Sequence, residues 1–145
     1  MPASGIKLAD ANVWLAAVFT DHQHHTAARQ WFETQPDRTV AFCRVTQMAL
    51  LRHLTNTRIM GAFVLSQQEA WSTYQRLVND ARVIFLPEPA ALEMTFRGLS
   101  QATTPSQEHW TDAFLAAFAI QSAAQLVTFD HGFTRFAGLD LHRLA

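Results

Sequence analysis

The sequence contains one cysteine and one lysine, and the scarcity of each limits the classes of protein to which it can belong. The single cysteine, Cys43, cannot form an internal disulfide, which agrees with a reducing compartment and leads us to expect a cytoplasmic protein. Ten of the eleven basic residues are arginine, and Lys7 is the exception. The formal net charge is −1, so the sequence has no basic excess for binding long nucleic-acid duplexes.

A long apolar run is also missing. The longest uncharged segment, residues 113–129, is interrupted by polar side chains, so we interpret it as a buried helix followed by a strand and expect no membrane partner. We expect no signal peptide, because only a few apolar residues separate Lys7 from Asp10. A chain of 145 residues, 49% of them hydrophobic, suits a single domain over residues 1–145.

Short apolar strands alternate with helical segments along the chain. The predicted strands cover residues 6–10, 39–43, 82–86, 125–129 and 139–144. The predicted helices cover residues 13–18, 21–35, 46–55, 66–78 and 89–101, and a last one that contains Asp112. This order predicts a three-layer α/β/α fold with a mainly parallel sheet of roughly five strands.

Polar residues are predicted to cap three of these helices. Asp21 precedes the second helix, and Ser66 with Glu69 has the spacing of a capping box before the fourth. Thr104 with Gln107 has the same spacing before the last helix. These residues therefore predict where the helices begin.

Three aspartates are expected to converge. Asp10 and Asp130 each end a predicted strand, and the carboxyl ends of parallel strands share one edge of a sheet. Asp112 begins a helix that returns antiparallel to the strands, so it arrives at the same edge. We call Asp10, Asp112 and Asp130 the acidic rim. Other roles remain open at this point, since Asp10 also suits a helix cap and Asp112 a favourable interaction with the helix dipole.

Three neighbouring carboxylates repel one another unless a cation balances them. Oxygen ligands alone favour Mg²⁺ or Mn²⁺, and Mg²⁺ held by few carboxylates keeps several waters and favours phosphate substrates. A water bound to such an ion is acidified and can attack a phosphodiester. The acidic rim therefore predicts metal-dependent phosphodiester hydrolysis.

Four segments of the chain carry a family resemblance. They are Leu8-Ala9-Asp10-Ala11-Asn12-Val13-Trp14-Leu15, Arg44-Val45-Thr46-Gln47-Met48 with 51–56, His109-Trp110-Thr111-Asp112-Ala113, and Leu126-Val127-Thr128-Phe129-Asp130-His131-Gly132-Phe133. In this order they resemble the motifs of PIN-domain proteins, in particular the VapC-type ribonuclease toxins of toxin–antitoxin pairs. The resemblance implies a Mg²⁺- or Mn²⁺-dependent endoribonuclease, with Asp10, Asp112 and Asp130 as metal-binding acids. It also implies a homodimer and a small VapB-type antitoxin partner.

One position departs from the family pattern. Many members carry Glu on the helix after the second strand, and the matching residue here is Gln47. Glutamine keeps a carbonyl oxygen but has no negative charge, so Gln47 either holds a metal-bound water or weakens the metal site. Asn12 and Thr128, each two residues from an acid, are candidates for orienting the metal ligands, with turn formation and strand pairing as their alternative roles.

The same residues are compatible with functions other than a nuclease. A non-catalytic PIN-like module could use the acidic rim to bind a partner's arginine, which the missing Glu favours. A phosphoryl-transfer domain is less favoured, because Asn12 stands where an aspartyl phosphatase needs a second acid. A zinc site among His22, His24 and His25 lacks a fourth ligand at suitable spacing. The sequence does not encode which RNA is bound.

Overall fold

The computed structural model describes residues 4–102 and 104–145. Its sheet has five strands in the order β3-β2-β1-β4-β5, and every neighbouring pair is parallel. The strands are β1 (Lys7–Ala9), β2 (Val40–Phe42), β3 (Val83–Phe85), β4 (Gln125–Thr128) and β5 (Leu141–Arg143). The predicted parallel sheet is confirmed, and β5 lies at its edge.

Helices cover both faces of the sheet. The α-helices are α1 (Ala11–Val18), α2 (His25–Glu33), α3 (Arg44–Leu54), α4 (Thr57–Met60), α5 (Gln67–Val78), α6 (Leu92–Ser100) and α7 (Gln107–Gln121). Short 3₁₀ helices cover Gly61–Phe63 and His131–Arg135. The three-layer α/β/α fold predicted from the sequence is confirmed.

Alternating side chains of the strands divide the core into two parts. Ala9, Phe42 and Val127 pack with residues of α1, α2, α3 and α5. Leu8, Ala41 and Leu126 face the other way and pack with α6 and α7. This alternation follows from the two-residue period of a strand, and it explains why short strands buried on both faces are almost wholly apolar.

Two of the three helix starts predicted from capping residues are wrong. The second helix begins at His25 rather than at Asp21, because residues 19–25 form successive turns in which the backbone N–H of His22 donates to Phe19 and that of His25 donates to His22. The last helix begins at Gln107 and follows Ser106, whose side chain makes no capping hydrogen bond. The cap predicted at Thr104 therefore does not form.

The third predicted cap is present. The Ser66 hydroxyl accepts a hydrogen bond from the backbone N–H of Glu69, and the Glu69 carboxylate accepts one from the N–H of Ser66. These reciprocal bonds satisfy two backbone donors at the start of α5. None of the helices in residues 4–102 and 104–145 combines the length and the hydrophobicity of a transmembrane span.

Candidate acidic site at the carboxyl ends of the strands

Asp10 follows β1 and is fixed by three hydrogen bonds. Its backbone N–H donates to the carbonyl of Val127 over 2.9 Å, which keeps it in line with β4. Its Oδ1 accepts from the N–H of Ala11 at 2.7 Å, and its Oδ2 accepts from the Thr128 hydroxyl at 2.8 Å. Asp10 therefore caps α1 while its carboxylate stays at the edge of the sheet.

Burial raises the pKa of Asp10 to about 6. The hydrogen bonds from Thr128 and Ala11 lower this pKa in part, whereas the charges of Asp112 and Asp130 raise it further. Asp10 and Asp130 follow the adjacent strands β1 and β4, and α7, which carries Asp112, leads into β4. The three acids are therefore placed near one edge of the sheet, whereas their sharing of a metal ion stays a prediction.

Thr128 links two of the acids through one hydroxyl. It is fully buried at the end of β4, donates to Asp10 and accepts from the backbone N–H of Asp130 at 3.0 Å. Asn12 reaches the same hydroxyl with its Nδ2 at 3.4 Å, and its Oδ1 accepts from the N–H of Phe129 at 3.4 Å. Both residues predicted to orient the acids thus lie beside them, with Thr128 in direct contact.

Asp112 lies in the second turn of α7 and is half-buried. Its position beyond the first turn weakens the alternative that it serves the helix dipole. Its Oδ2 lies 3.0 Å from Nη2 of Arg135, an ion pair in which 39% of the arginine and 26% of the aspartate side chain are exposed. No local sequence pattern identifies Arg135 as the partner of Asp112, because the two residues are 23 positions apart.

Asp130 lies on the outer side of the rim. It is exposed, and its Oδ1 accepts from the backbone N–H of Gly132 at 2.9 Å, which caps the 3₁₀ helix that follows β4. One carboxylate oxygen of Asp130 is therefore directed towards the backbone of the 3₁₀ helix that follows it.

The ligand atoms of the acidic rim are carboxylate oxygens, which are the type that hard divalent cations such as Mg²⁺ and Mn²⁺ prefer. The repulsion that raises the pKa of Asp10 is what such a cation would relieve. As the side chains are oriented, no three His, Cys, Asp or Glu residues within 4–102 and 104–145 form a group that could hold a metal ion. Asp112 and Asp130 would have to turn from Arg135 and Gly132 to share an ion with Asp10.

Gln47 lies in α3, which begins beyond the carboxyl end of β2, and only 6% of it is exposed. Its Oε1 accepts a hydrogen bond of 2.7 Å from Nη1 of Arg44, whose guanidinium lies over the ring of Phe85. The carbonyl oxygen proposed to hold a water is therefore already engaged. Gln47 is near the correct edge of the sheet without being bonded to the acids.

The three histidines at the start of α2 have structural partners. His25 Nδ1 lies 2.7 Å from the carbonyl oxygen of Ala16, and His24 stacks on Phe129. His22 Nδ1 accepts from the backbone N–H of His24 at 3.0 Å. These contacts account for the cluster as part of the turn before α2.

Comparison with known proteins gives concordant matches in sequence and in fold. Residues 7–139 match the family model described as PIN domain. Ribonuclease VapC41 of Mycobacterium tuberculosis is 40% identical over 143 residues, which cover 95% of this chain and 98% of that protein.

Two solved structures have a similar fold at low sequence identity. VapBC2 from Rickettsia felis, bound to a DNA fragment from its promoter, superposes with a TM-score of 0.68 and 15% identity over 97% of this chain and 99% of the other. VapC20 of Mycobacterium tuberculosis, a toxin that cleaves the sarcin–ricin loop, superposes with a TM-score of 0.65 and 16% sequence identity. The match covers 92% of this chain and 98% of the other. These two matches concern the fold alone.

Proposed function

This chain belongs to the PIN-domain family, and on that premise we propose that it is the ribonuclease toxin of a VapBC-type toxin–antitoxin pair, hydrolysing phosphodiester bonds of RNA. The observation that supports the proposal is the placement of Asp10, Asp112 and Asp130 near one edge of the sheet, in a chain 40% identical to Ribonuclease VapC41. The resemblance of the four sequence segments agrees with it.

We infer that Asp10, Asp112 and Asp130 hold Mg²⁺ or Mn²⁺. Such an ion acidifies a bound water and stabilises charge on a phosphodiester undergoing hydrolysis. The chain's own contribution is positioning: the Thr128 hydroxyl fixes one oxygen of Asp10, and the α7 backbone carries Asp112. Gln47 is the weakest of the predicted catalytic residues, because Arg44 already binds its carbonyl oxygen.

We propose a VapB-type antitoxin as the protein partner and a homodimer as the assembly. The antitoxin would cover the acidic rim and place a cationic side chain, an arginine by preference, against it. Charge-assisted pairs between guanidinium and carboxylate are among the stronger hydrogen-bonded contacts. Asp10 and Asp130 suit this role, since the ion pair with Arg135 engages only Asp112.

A non-catalytic binding module is the second candidate. Two features favour it: the resemblance implies that Gln47 stands in the place of the family's Glu, and Asp112 already pairs with Arg135. In that case the rim would bind an arginine-containing partner and no RNA would be cleaved.

Incubation of the purified chain with total RNA separates the two candidates. We expect cleavage with Mg²⁺ or Mn²⁺, none with EDTA, and cut ends that carry 5′-phosphate and 3′-hydroxyl groups. Cleavage that persists in EDTA would contradict the metal-dependent mechanism. Intact RNA at every Mn²⁺ concentration, from a chain that still binds an arginine-bearing antitoxin, would favour the binding module.

A further inference from the structure

A cation from the chain itself already lies at the acidic rim. Arg135, in the 3₁₀ helix after β4, places Nη2 3.0 Å from Oδ2 of Asp112 and 3.2 Å from Nδ1 of His109. Its Nη1 donates to the carbonyl oxygen of Gly132, two residues beyond Asp130. The guanidinium therefore connects α7, which carries Asp112, with the segment that follows Asp130.

The surroundings of Arg135 hold its guanidinium in place. The guanidinium carbon lies 4.4 Å from the centroid of the Phe136 ring, at a distance that allows a cation–π contact. Gly132 leaves the space it needs, since a Cβ at that position would lie 2.7 Å from Nη1. The Phe136 ring packs on one side of the guanidinium, and Gly132, which has no side chain, leaves room on the other side. These neighbours favour the observed conformation of Arg135 over the many others that an exposed arginine can adopt.

His109 adds a hydrogen-bond acceptor to this arrangement. Its Nε2 lies 3.1 Å from the carbonyl oxygen of Leu99, which can only accept, so Nε2 carries the hydrogen. Nδ1 is then left with a lone pair towards Arg135, and the ring stacks on Phe136. A histidine and an aspartate on the same helix thus both accept from one guanidinium.

This ion pair opposes metal binding at the rim. A guanidinium beside Asp112 neutralises one of the three carboxylates and repels a divalent cation nearby. A cation that uses Asp112 must therefore compete with Arg135 for that carboxylate. The partial exposure of both side chains lets water and salt screen the effect, so it is moderate in size.

Resting on the proposed metal-dependent function, we propose that Arg135 is the internal counter-ion of the acidic rim. It is a positioning residue that acts through Asp112: it holds this carboxylate and sets the affinity of the rim for divalent cations. Removal of its charge therefore strengthens metal binding, which is the opposite of what loss of a supporting contact would do.

Calorimetric titration with Mn²⁺ alone tests the proposal. We expect Arg135→Gln to bind Mn²⁺ about tenfold more tightly than wild type, a difference that calorimetry resolves. Arg135→Met, which keeps an apolar stem on Phe136, should show the same change. Arg135→Lys keeps the charge and should stay within about threefold of wild type.

Arg29 offers a matched control. It pairs with Glu33 at 2.8 Å, is 38% exposed and lies 5.7 Å from the Phe32 centroid, so its surroundings resemble those of Arg135 away from the rim. Arg29→Gln should leave Mn²⁺ affinity unchanged. Circular dichroism verifies that each variant is folded.

Equal or weaker Mn²⁺ binding by folded Arg135→Gln and Arg135→Met would overturn the inference. If wild type nevertheless binds Mn²⁺ and cleaves RNA, the proposed function stands without it. If wild type neither binds Mn²⁺ nor cleaves RNA, both proposals fail.

Discussion

At the residue scale, Asp10 couples the acidic rim to the stability of the fold. Burial raises its pKa from 3.8 to about 6, although Thr128 and Ala11 donate hydrogen bonds to its carboxylate. Between these two pH values the folded state binds more protons than the unfolded state. The contribution of Asp10 to stability is therefore full below about pH 4 and is lost as the pH rises through about 6.

We predict that Asp10→Asn removes this pH dependence. In EDTA, the free energy of unfolding of the variant relative to that of wild type should rise by about 2 kcal/mol when the pH is raised from about 4.5 to about 7.5. Urea unfolding of both proteins at the two pH values measures the difference. A difference that does not change with pH would show that Asp10 is ionised as readily in the fold as in the unfolded chain.

Gln47 is the residue at which the resemblance to PIN-domain proteins implies a departure from the family's Glu. If it shares the rim, Gln47→Glu adds a negative charge that strengthens divalent-cation binding. The melting temperature of the variant should then rise more than that of wild type when Mn²⁺ is added, because binding to the folded state stabilises it.

Gln68→Glu serves as a control for this substitution. It adds the same charge to the first turn of α5, at an exposed position. Both variants interact favourably with a helix dipole, but only Gln47→Glu should change the Mn²⁺ response. Identical responses would place Gln47 outside the site and leave its bond to Arg44 as its main role.

At the element scale, the site depends on how the ends of β1, α1 and β4 are joined. The hydroxyl of Thr128 donates to Asp10 and accepts from the N–H of Asp130 and from Asn12, so one buried group contacts three segments. Because no water reaches this position, loss of the hydroxyl leaves several polar groups without a partner.

We predict that Thr128→Val lowers the free energy of unfolding by about 1–3 kcal/mol, although valine has nearly the same shape. Thr73→Val is the comparison, since Thr73 is also buried but bonds only within α5, to the carbonyl of Glu69 and to Arg76. Urea unfolding should show the larger loss for Thr128→Val. Equal losses would mean that the hydroxyl does not join the three segments.

The elements also indicate what the sequence could predict. The alternation of apolar strands with helices predicts the parallel sheet, and the sheet then places Asp10 and Asp130 at one edge. The start of α2 could not be predicted from the local sequence, because His24, which precedes the helix, stacks on Phe129, a residue more than a hundred positions away. The Arg135–Asp112 pair escaped prediction for the same reason: it depends on tertiary contact and on the space left by Gly132.

At the scale of the whole molecule, apolar side chains lie on the outer surface of α3 and α5. Met48 of α3 and Trp71 of α5 are each 53% exposed. Trp71 borders a small cavity shared with Leu51 and Thr55 of the α3 region. This surface is the best candidate for the proposed twofold contact.

We predict that wild type is the proposed homodimer and Trp71→Arg a monomer at concentrations on the order of tens of micromolar. Met94→Arg is the control, since Met94 is 83% exposed on α6, on the opposite face of the sheet. Light scattering gives the mass of each. A monomeric wild type, or a dimer that survives Trp71→Arg, would contradict this assignment.

Asp112→Asn should abolish RNA cleavage, because the proposed hydrolysis at the acidic rim needs a divalent cation that this carboxylate helps to hold. The substitution keeps the size of the side chain and removes the charge. Asp140→Asn is the control, because Asp140 lies outside the rim and accepts a hydrogen bond from Gln125 at 3.1 Å. With Mn²⁺ and total RNA, we expect cleavage by wild type and Asp140→Asn, and none by folded Asp112→Asn. Mn²⁺-dependent cleavage by Asp112→Asn at the wild-type rate would show that Asp112 is not a ligand of a catalytic cation.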